Sequence, residues 1–192
     1  MIINPVADAL IVVDVQRDFC PGGALAVRDG DAVVPAINRI LPQFQHRFFT
    51  RDWHPQNHCS FSPNPRFADQ SWPMHCVRES EGAAFPSQLI VPSDAVVVDK
   101  GTHPEREAYS GFEDTDLAEL LRRRGIQRIF VCGLATDYCV KATALDGLKN
   151  GLQVIVVEDA CRGVDVPPGT VAQAIEAMQR AGIEFCMSGD LE

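Results

Sequence analysis

The 192-residue chain has the length of one globular domain, which we predict to span residues 1–192. Hydrophobic residues make up 46% of it and charged residues 22%, which excludes a disordered or fibrous chain. The formal net charge of −9 argues against a nucleic acid or an anionic membrane as partner, because both bind basic patches. No apolar run approaches the ~20 residues of a transmembrane helix. Seven irregularly spaced cysteines indicate a reducing, cytoplasmic compartment with free thiols.

Six short apolar runs predict the strands of a parallel sheet. They cover 9–13, 47–50, 95–98, 128–131, 153–157 and 183–187. Continuous apolar runs of this length are typical of strands that are covered on both faces. The sequence therefore predicts a buried, mostly parallel sheet of about six strands.

Helical patterns lie between these strands, at 31–41, 116–125, 136–150 and 170–182. Asp116 and either Thr136 or Asp137 are predicted N-caps, and Thr170 with Gln173 is a predicted capping box. Strands that alternate with helices indicate an α/β domain with right-handed crossovers. We expect a three-layer α/β/α fold.

One long segment, 54–92, breaks the alternation. It contains no convincing helix or strand, six of the 13 prolines and three of the five histidines. A loop of this length inside a compact domain is usually functional. We therefore predict a loop insertion that binds a metal.

Polar side chains follow four of the predicted strands. Asp14, Asp52 and Lys100 each lie at the end of an apolar run, and the segment 132–139 follows a fourth run. Ligands of open α/β sheets bind beyond the carboxyl ends of the strands. Any one of these residues is typical of a turn or a cap, but their joint positions favour a functional site.

Cys139 is a candidate nucleophile, because it lies three residues after Thr136 in the first turn of a predicted helix. Amides at a helix start lower a thiol pKa and can hold an oxyanion. Asp14 and Lys100 are candidates for the base that such a thiol needs. The alternative for a helical cysteine is buried packing, which is our interpretation of Cys132, Cys161 and Cys186.

Asp52 and His54, with His58 and His75 further along, have the donors of a metal site. A carboxylate and neutral imidazoles suit zinc, manganese or iron. A closed structural zinc site that also uses the two neighbouring thiols is an alternative; these thiols are Cys59 and Cys76.

Several motifs together carry a resemblance to a known family. They are 14–19 (DVQRDF), 50–55 (TRDWHP), 58–61 (HCSF), 72–76 (WPMHC), 100–102 (KGT), 109–112 (YSGF) and 133–140 (GLATDYCV). In this order, over nearly the whole chain, they resemble the nicotinamidases (pyrazinamidases) of the isochorismatase-like cysteine hydrolase superfamily.

This resemblance implies a catalytic triad of Asp14, Lys100 and Cys139. It also implies a cis peptide bond between Leu134 and Ala135, and an oxyanion hole formed by the amides of Ala135 and Cys139. The residues that it implies for the substrate pocket are Phe19, Trp72, Leu134, Ala135, Tyr138 and Tyr109.

The same resemblance implies one divalent metal ion held by Asp52, His54 and His75. Zinc is the first expectation, with manganese or iron as alternatives. His58 is either a fourth ligand or a neighbour of the ligands.

The implied reaction is hydrolysis of nicotinamide, and of pyrazinamide, to the acid and ammonia through a thioester. Rival interpretations are another superfamily hydrolase, such as an N-carbamoyl amidase or an isochorismatase, and a non-catalytic zinc-binding module. The sequence leaves open whether the chain forms a homo-oligomer.

Overall fold

The computed structural model describes residues 1–67 and 69–191. Within these residues, six parallel strands form the central sheet, in the order β3-β2-β1-β4-β5-β6. The strands are β1 (Asp8–Val13), β2 (His46–Asp52), β3 (Val96–Lys100), β4 (Arg128–Leu134), β5 (Gln153–Arg162) and β6 (Glu184–Cys186).

Four α-helices accompany the sheet in the described residues, and the predicted three-layer α/β/α fold is confirmed. The helices are α1 (Val34–Ile40), α2 (Leu117–Arg123), α3 (Lys141–Lys149) and α4 (Thr170–Arg180). A 3₁₀ turn, Gly30–Val33, precedes α1, and a π-helical turn, Thr136–Val140, precedes α3. None of the described helices is long and apolar enough to cross a lipid bilayer.

Burial explains why the composition of these segments predicts strands. Every residue of β1 is buried, because β2 and β4 flank it in the sheet and apolar residues pack against its side chains in the core. β3, which has a neighbour on one side only, is less completely buried. Full burial of an aliphatic side chain stabilises a fold by about 1.5–3 kcal/mol, so the apolar run of β1 favours the centre of the sheet.

Asp116 occupies the predicted N-cap position of α2, although its side chain makes no capping hydrogen bond. The other predicted N-caps are wrong, because Ala135 precedes the π-helical turn and Gly169 precedes α4. The hydroxyl of Thr170 donates instead to the Asp137 carboxylate. These short polar side chains form a tertiary contact, which replaces the local bonds that the sequence predicts.

The strand order brings the candidate residues together at one edge. The chain moves from β1 outward through β2 to β3, and then returns to pair β4 with the other side of β1. Asp14 follows β1, while Asp52 and Lys100 end β2 and β3 and are paired in register. Ligands bind at this kind of switch point in open α/β sheets.

The segment between β2 and β3 is the predicted long loop. Its described residues form no helix or named strand, and two isolated bridges join distant parts of it. One bridge pairs His54 with Val77, and the other pairs Phe61 with Trp72. The loop therefore folds back on itself and returns towards the end of β2.

Candidate active site

Lys100 is at the centre of the cluster at the strand ends. Its ammonium nitrogen lies 2.9 Å from Asp14 Oδ2 and also contacts Asp52 Oδ1. It donates to the Ala108 carbonyl at 3.1 Å and lies 3.4 Å from the sulfur of Cys139. Burial lowers the pKa of Lys100, but the two carboxylates outweigh it and raise the pKa well above its ordinary value. The lysine is therefore a buried cation that is compensated on two sides.

The two oxygens of Asp14 differ in their partners, and Oδ2, which has only the ammonium group of Lys100 beside it, is called the open oxygen below. Oδ1 accepts a hydrogen bond of 2.7 Å from the Thr50 hydroxyl. Oδ2 forms the ion pair with Lys100 and has no other hydrogen-bond donor among the described residues. Burial raises the pKa of Asp14 more than Lys100 lowers it, so this carboxylate has a higher proton affinity than an ordinary aspartate.

Cys139 is buried in the π-helical turn that follows β4. Its sulfur, an oxygen of Asp14 and an oxygen of Asp52 all lie within 4.8 Å of one another. Burial raises the pKa of the Cys139 thiol well above its usual value; Lys100 lowers it, but the nearby carboxylates raise it further. This differs from the expectation that the helix start lowers the pKa. The thiol holds its proton and needs a base to lose it.

A second cluster adjoins the first. Ligand atoms of Asp52, His54 and His75 lie within 4.8 Å of one another, and all three side chains are buried. Nδ1 of His54 faces the Gly101 carbonyl at 2.9 Å, and Nδ1 of His75 faces the Pro73 carbonyl at 2.7 Å. A carbonyl only accepts, so each Nδ1 carries a hydrogen, and in the neutral form of each ring the lone pair is on Nε2.

Both free Nε2 atoms point towards the same carboxylate oxygen, Asp52 Oδ2. The separations are 3.6 Å for His54 and 3.9 Å for His75, which is too long for hydrogen bonds. Two imidazole lone pairs and a carboxylate that converge without bonding one another are a donor set suited to a divalent cation. The residues present therefore fit a metal.

The pKa shifts of Asp52 and His75 agree with this donor set, whereas the pKa of His54 is raised. Burial raises the pKa of Asp52, but Lys100 and His54 hold it below its ordinary value, so the carboxylate is an anion. Burial lowers the pKa of His75, which keeps this ring neutral. Burial also lowers the pKa of His54, but Asp52 outweighs it and raises the pKa. A metal ion that binds Nε2 of His54 would displace the proton that this raised pKa favours on the ring.

Gly101 determines how closely β3 approaches the metal cluster. Its φ is +62°, and a Cβ at this position would lie 2.5 Å from Cε1 of His54. Only glycine combines that backbone conformation with that contact. The residue after Lys100 is thus part of the support of His54.

His58 lies beside the cluster and has its own partners. Its Nδ1 is 2.8 Å from the Ser60 hydroxyl, and its Nε2 is 3.1 Å from the Arg106 carbonyl. The His58 ring lies 4.1 Å from that of His54, centroid to centroid. It shares a different donor group, with His54 and Glu107, from the group that contains Asp52.

The two thiols of the closed-zinc alternative lie outside these groups. Cys59 is exposed, and Cys76 is buried with its amide bonded to Asp18. Neither belongs to a candidate donor group in the part of the chain that the structure describes. The structure thus gives no support to a closed site with cysteine ligands.

A small cavity of about 40 Å³ joins the two clusters. Five of the predicted pocket residues line it together with Cys139; they are Phe19, Trp72, Tyr109, Ala135 and Tyr138. Leu134, also predicted to contact substrate, is fully buried in the core and is absent from this lining. The cis peptide bond between Leu134 and Ala135 is present. Residues that sequence reasoning missed complete the lining, namely Leu25, Val27, Glu107 and Val164.

The aromatic side of the cavity comes from three segments. The indole of Trp72 donates a 3.1 Å hydrogen bond to the hydroxyl of Tyr109 and packs edge-on against Tyr138 at 5.0 Å. Burial raises the pKa of Tyr109 above its usual range, so its hydroxyl keeps its proton. The long loop, the segment after β3 and the turn before α3 therefore meet around one cavity.

Gln16 supports both clusters and was missed as a site residue, although it lies inside the first motif. Its fully buried amide donates to the carbonyls of Asp52 and Ala83, at 2.8 and 2.9 Å. Its Oε1 accepts from the amide of Asp52 at 2.7 Å. Gln16 thereby holds the ends of β1 and β2 and the long loop together.

A larger groove, of about 770 Å³, lies elsewhere on the surface beside Arg17 and Cys20. None of the candidate catalytic or metal-binding residues lines it. The chemistry of the side chains, and not the size of the concavity, indicates the site.

Comparison with known proteins agrees with this geometry. A family model for the isochorismatase domain matches residues 8–189. The chain belongs to the isochorismatase family. It is 42% identical to a nicotinamidase of Escherichia coli (strain K12), with 96% of each chain covered.

Two solved structures extend the comparison. A pyrazinamidase of Pyrococcus horikoshii in complex with zinc is 47% identical, with a TM-score of 0.84 over 94% of this chain and 98% of that one. PnC1 from L. infantum in complex with nicotinate is 35% identical, with a TM-score of 0.90 over 100% and 98%. The resemblance stated from the motifs is confirmed.

Proposed function

We propose that this isochorismatase-family chain hydrolyses nicotinamide to nicotinate and ammonia, and also accepts pyrazinamide. The observation that carries the proposal is one small cavity bordered by Cys139, with Asp14 and Lys100 behind the thiol and the donors of a metal beside it. The similarity of the chain to proteins named nicotinamidase and pyrazinamidase supports the same substrates.

Asp14 is the general base of the proposed mechanism. Its open Oδ2 takes the proton of the Cys139 thiol, and the sulfur forms a bond to the carboxamide carbon. The carbonyl oxygen becomes an oxyanion, which the backbone amides of Ala135 and Cys139 stabilise. Lys100 keeps its charge throughout and holds the Asp14 carboxylate in place.

The tetrahedral intermediate collapses when Asp14 returns its proton to the nitrogen. The carbon–nitrogen bond breaks, ammonia leaves, and a thioester to Cys139 remains. Water then attacks the thioester carbon while Asp14 accepts its proton. The carbon–sulfur bond breaks, the acid leaves, and the proton returns to the thiol.

Asp52, His54 and His75 would hold one divalent cation, with zinc the first choice and manganese or iron as alternatives. Such a cation supplies Lewis acidity, which we propose serves to orient the ring nitrogen; activation of water is the alternative role. Zinc accompanies the pyrazinamidase of P. horikoshii. The aromatic walls orient the ring, so the amide carbon is presented to the sulfur.

Three further predictions accompany the proposed function. We expect the enzyme to act in the cytoplasm and to form one domain over residues 1–192. The formation of a homo-oligomer is an open expectation that light scattering would test.

The proposal is tested by ammonia release from nicotinamide with purified, zinc-loaded protein. Cys139→Ala should lower turnover by about 10⁴-fold or more, because the nucleophile is lost. Cys186→Ala, which removes a thiol outside the cavity, should leave turnover unchanged. Turnover near wild type in Cys139→Ala would exclude this residue as the nucleophile.

The rival hydrolases are tested with the same assay. Pyrazinamide should be turned over, and N-carbamoyl compounds and isochorismate should react far more slowly than nicotinamide. A reversed preference would assign the chain to another branch of the superfamily. Absence of any hydrolysis would favour the non-catalytic zinc module.

A further inference from the structure

Asp137 is a buried carboxylate that the proposed mechanism does not use. It lies in the π-helical turn, two residues before Cys139, and is 3% exposed. Although the sequence suggests a helix cap, its side chain makes no capping bond. A buried charged group without a local role is costly unless distant donors satisfy it.

The donors come from one short segment, 163–170, which joins β5 to α4. Asp137 Oδ1 accepts from the amide of Val164 at 2.9 Å. Its Oδ2 accepts from the amide of Asp165 at 2.9 Å and from the hydroxyl of Thr170 at 2.7 Å. Three bonds to a single carboxylate tie this whole connection to the turn that carries the thiol.

Gly163 permits the close approach of this segment. A Cβ at position 163 would lie 3.0 Å from Asp137 Oδ1 and 2.2 Å from a methyl group of Val171. Asp165 continues the chain of contacts, since its carboxylate accepts from the amides of Gly169 and Val171 at the start of α4. The contact between Asp137 and this segment is thus supported both before Val164, at Gly163, and after it, at Asp165.

Val164 is the member of this segment that lines the active-site cavity, together with Cys139 and Tyr138. On the basis of the function proposed above, we propose that Asp137 is a positioning residue that fixes the Val164 side of the cavity relative to the turn bearing Cys139. Asp137 itself does not line the cavity and acts through Val164. It therefore sets how tightly the substrate ring is held, in the ground state and the transition state alike.

Steady-state kinetics with nicotinamide test this role. Asp137→Asn keeps the shape of the side chain, but it replaces one carboxylate oxygen by an NH₂ group. This group is a donor, and it would face donors of the segment 163–170. We expect KM to rise about tenfold with kcat within about threefold, because uniform binding is lost. Val164→Ala should raise KM similarly. A fall in kcat with unchanged KM would overturn the proposal.

A double-mutant cycle shows whether the effect passes through Val164. If it does, Asp137→Asn in the Val164→Ala background should raise KM little further. Thr170→Val removes one of the three bonds, so it should raise KM about twofold, and this rise should also vanish in the Val164→Ala background. Independent, multiplicative effects on KM would contradict the proposal. Thr170→Val keeps the cycle usable if Asp137→Asn does not fold.

Amide hydrogen exchange tests the positioning without any substrate. The amides of Val164 and Asp165 should exchange faster in Asp137→Asn than in wild type, whereas those of β1 should keep their protection. Unchanged exchange at 164 and 165 would overturn the proposal even if nicotinamide is hydrolysed. If wild type releases no ammonia from nicotinamide, the proposed function fails, and the exchange experiment still decides whether Asp137 fixes this segment.

Discussion

Asp14 and Asp52 lie at the ends of neighbouring strands and contact the same ammonium group, that of Lys100, yet their pKa values move in opposite directions. Burial raises the pKa of Asp14, and Lys100 offsets this only in part. Burial also raises the pKa of Asp52, but Lys100 and His54 together bring it below the ordinary value.

The difference lies in the remaining neighbours of each carboxylate. Asp14 faces a protonated thiol and a hydroxyl, so its open oxygen is suited to exchange a proton. Asp52 faces the free Nε2 atoms of two histidines, so its open oxygen is suited to a metal. One lysine thus contacts, on one side, the carboxylate that we propose as the general base and, on the other side, a carboxylate that stays an anion.

The largest expected effect comes from neutralising each carboxylate separately. Asp14→Asn should lower kcat for nicotinamide by about 10³-fold while zinc remains bound, because the loss of a general base costs about 10²–10⁴-fold. Asp52→Asn should instead weaken zinc binding by more than about 100-fold, since a direct ligand matters more than an outer partner. Two measurements separate these variants. One is zinc affinity, measured by competition with a chromogenic chelator, and the other is the rate of thioester formation.

Asp99→Asn is the matched control for these two variants. Asp99 is on β3 beside Lys100, but its carboxylate pairs with Arg51 outside the cavity. Its kcat and zinc affinity should equal those of wild type. Loss of zinc in Asp14→Asn, or a wild-type rate of thioester formation, would erase the contrast between the two carboxylates.

Removing the shared cation should destabilise the fold. Lys100→Met leaves two buried carboxylates without their counter-ion, and we expect a loss of about 3–5 kcal/mol in the free energy of unfolding. Lys149→Met, on the exposed end of α3, should change it by less than about 0.5 kcal/mol. Urea denaturation measures both, and equal stabilities would show that the buried cation is dispensable.

Much of the fold and the site could be predicted because the relevant signals are local. The apolar run of β1 and the polar residue that follows it are enough to place Asp14 at a strand end. β5 is longer than predicted, and it runs to Arg162 because a register shift against β4 accommodates the polar residues after Val157. No periodic pattern in the sequence predicts such a register shift.

What could not be predicted depends on contacts between distant residues. The amide partner of Asp137 lies 27 residues further along the chain, so a cap was the nearest local explanation. The raised pKa of Cys139 depends on burial beside two carboxylates, which a helix start cannot reveal. The same holds for Val164, whose place in the cavity requires the β5–α4 connection to fold back.

As the pH falls, Asp14 should become protonated at a higher pH than an ordinary aspartate does. In the proposed mechanism Asp14 acts only when it is ionised, so we expect kcat/KM to fall as the pH falls through the pKa of Asp14. Because that pKa is raised, the acid limb should lie above about pH 4, with about a tenfold loss per pH unit below it. Zinc content measured at each pH is the control, and a limb that merely follows zinc loss would assign the titration to the metal site.

His58 should give the smallest effect and locate the boundary of the metal site. Both of its ring nitrogens already have partners, Ser60 and Arg106, and its ring supports that of His54. We expect His58→Gln to weaken zinc binding about tenfold, as the loss of a neighbouring support does, whereas His75→Gln should cost far more. Chelator competition compares the two variants directly. An equal loss of affinity would make His58 a direct ligand and would extend the metal site from Asp52 towards Glu107.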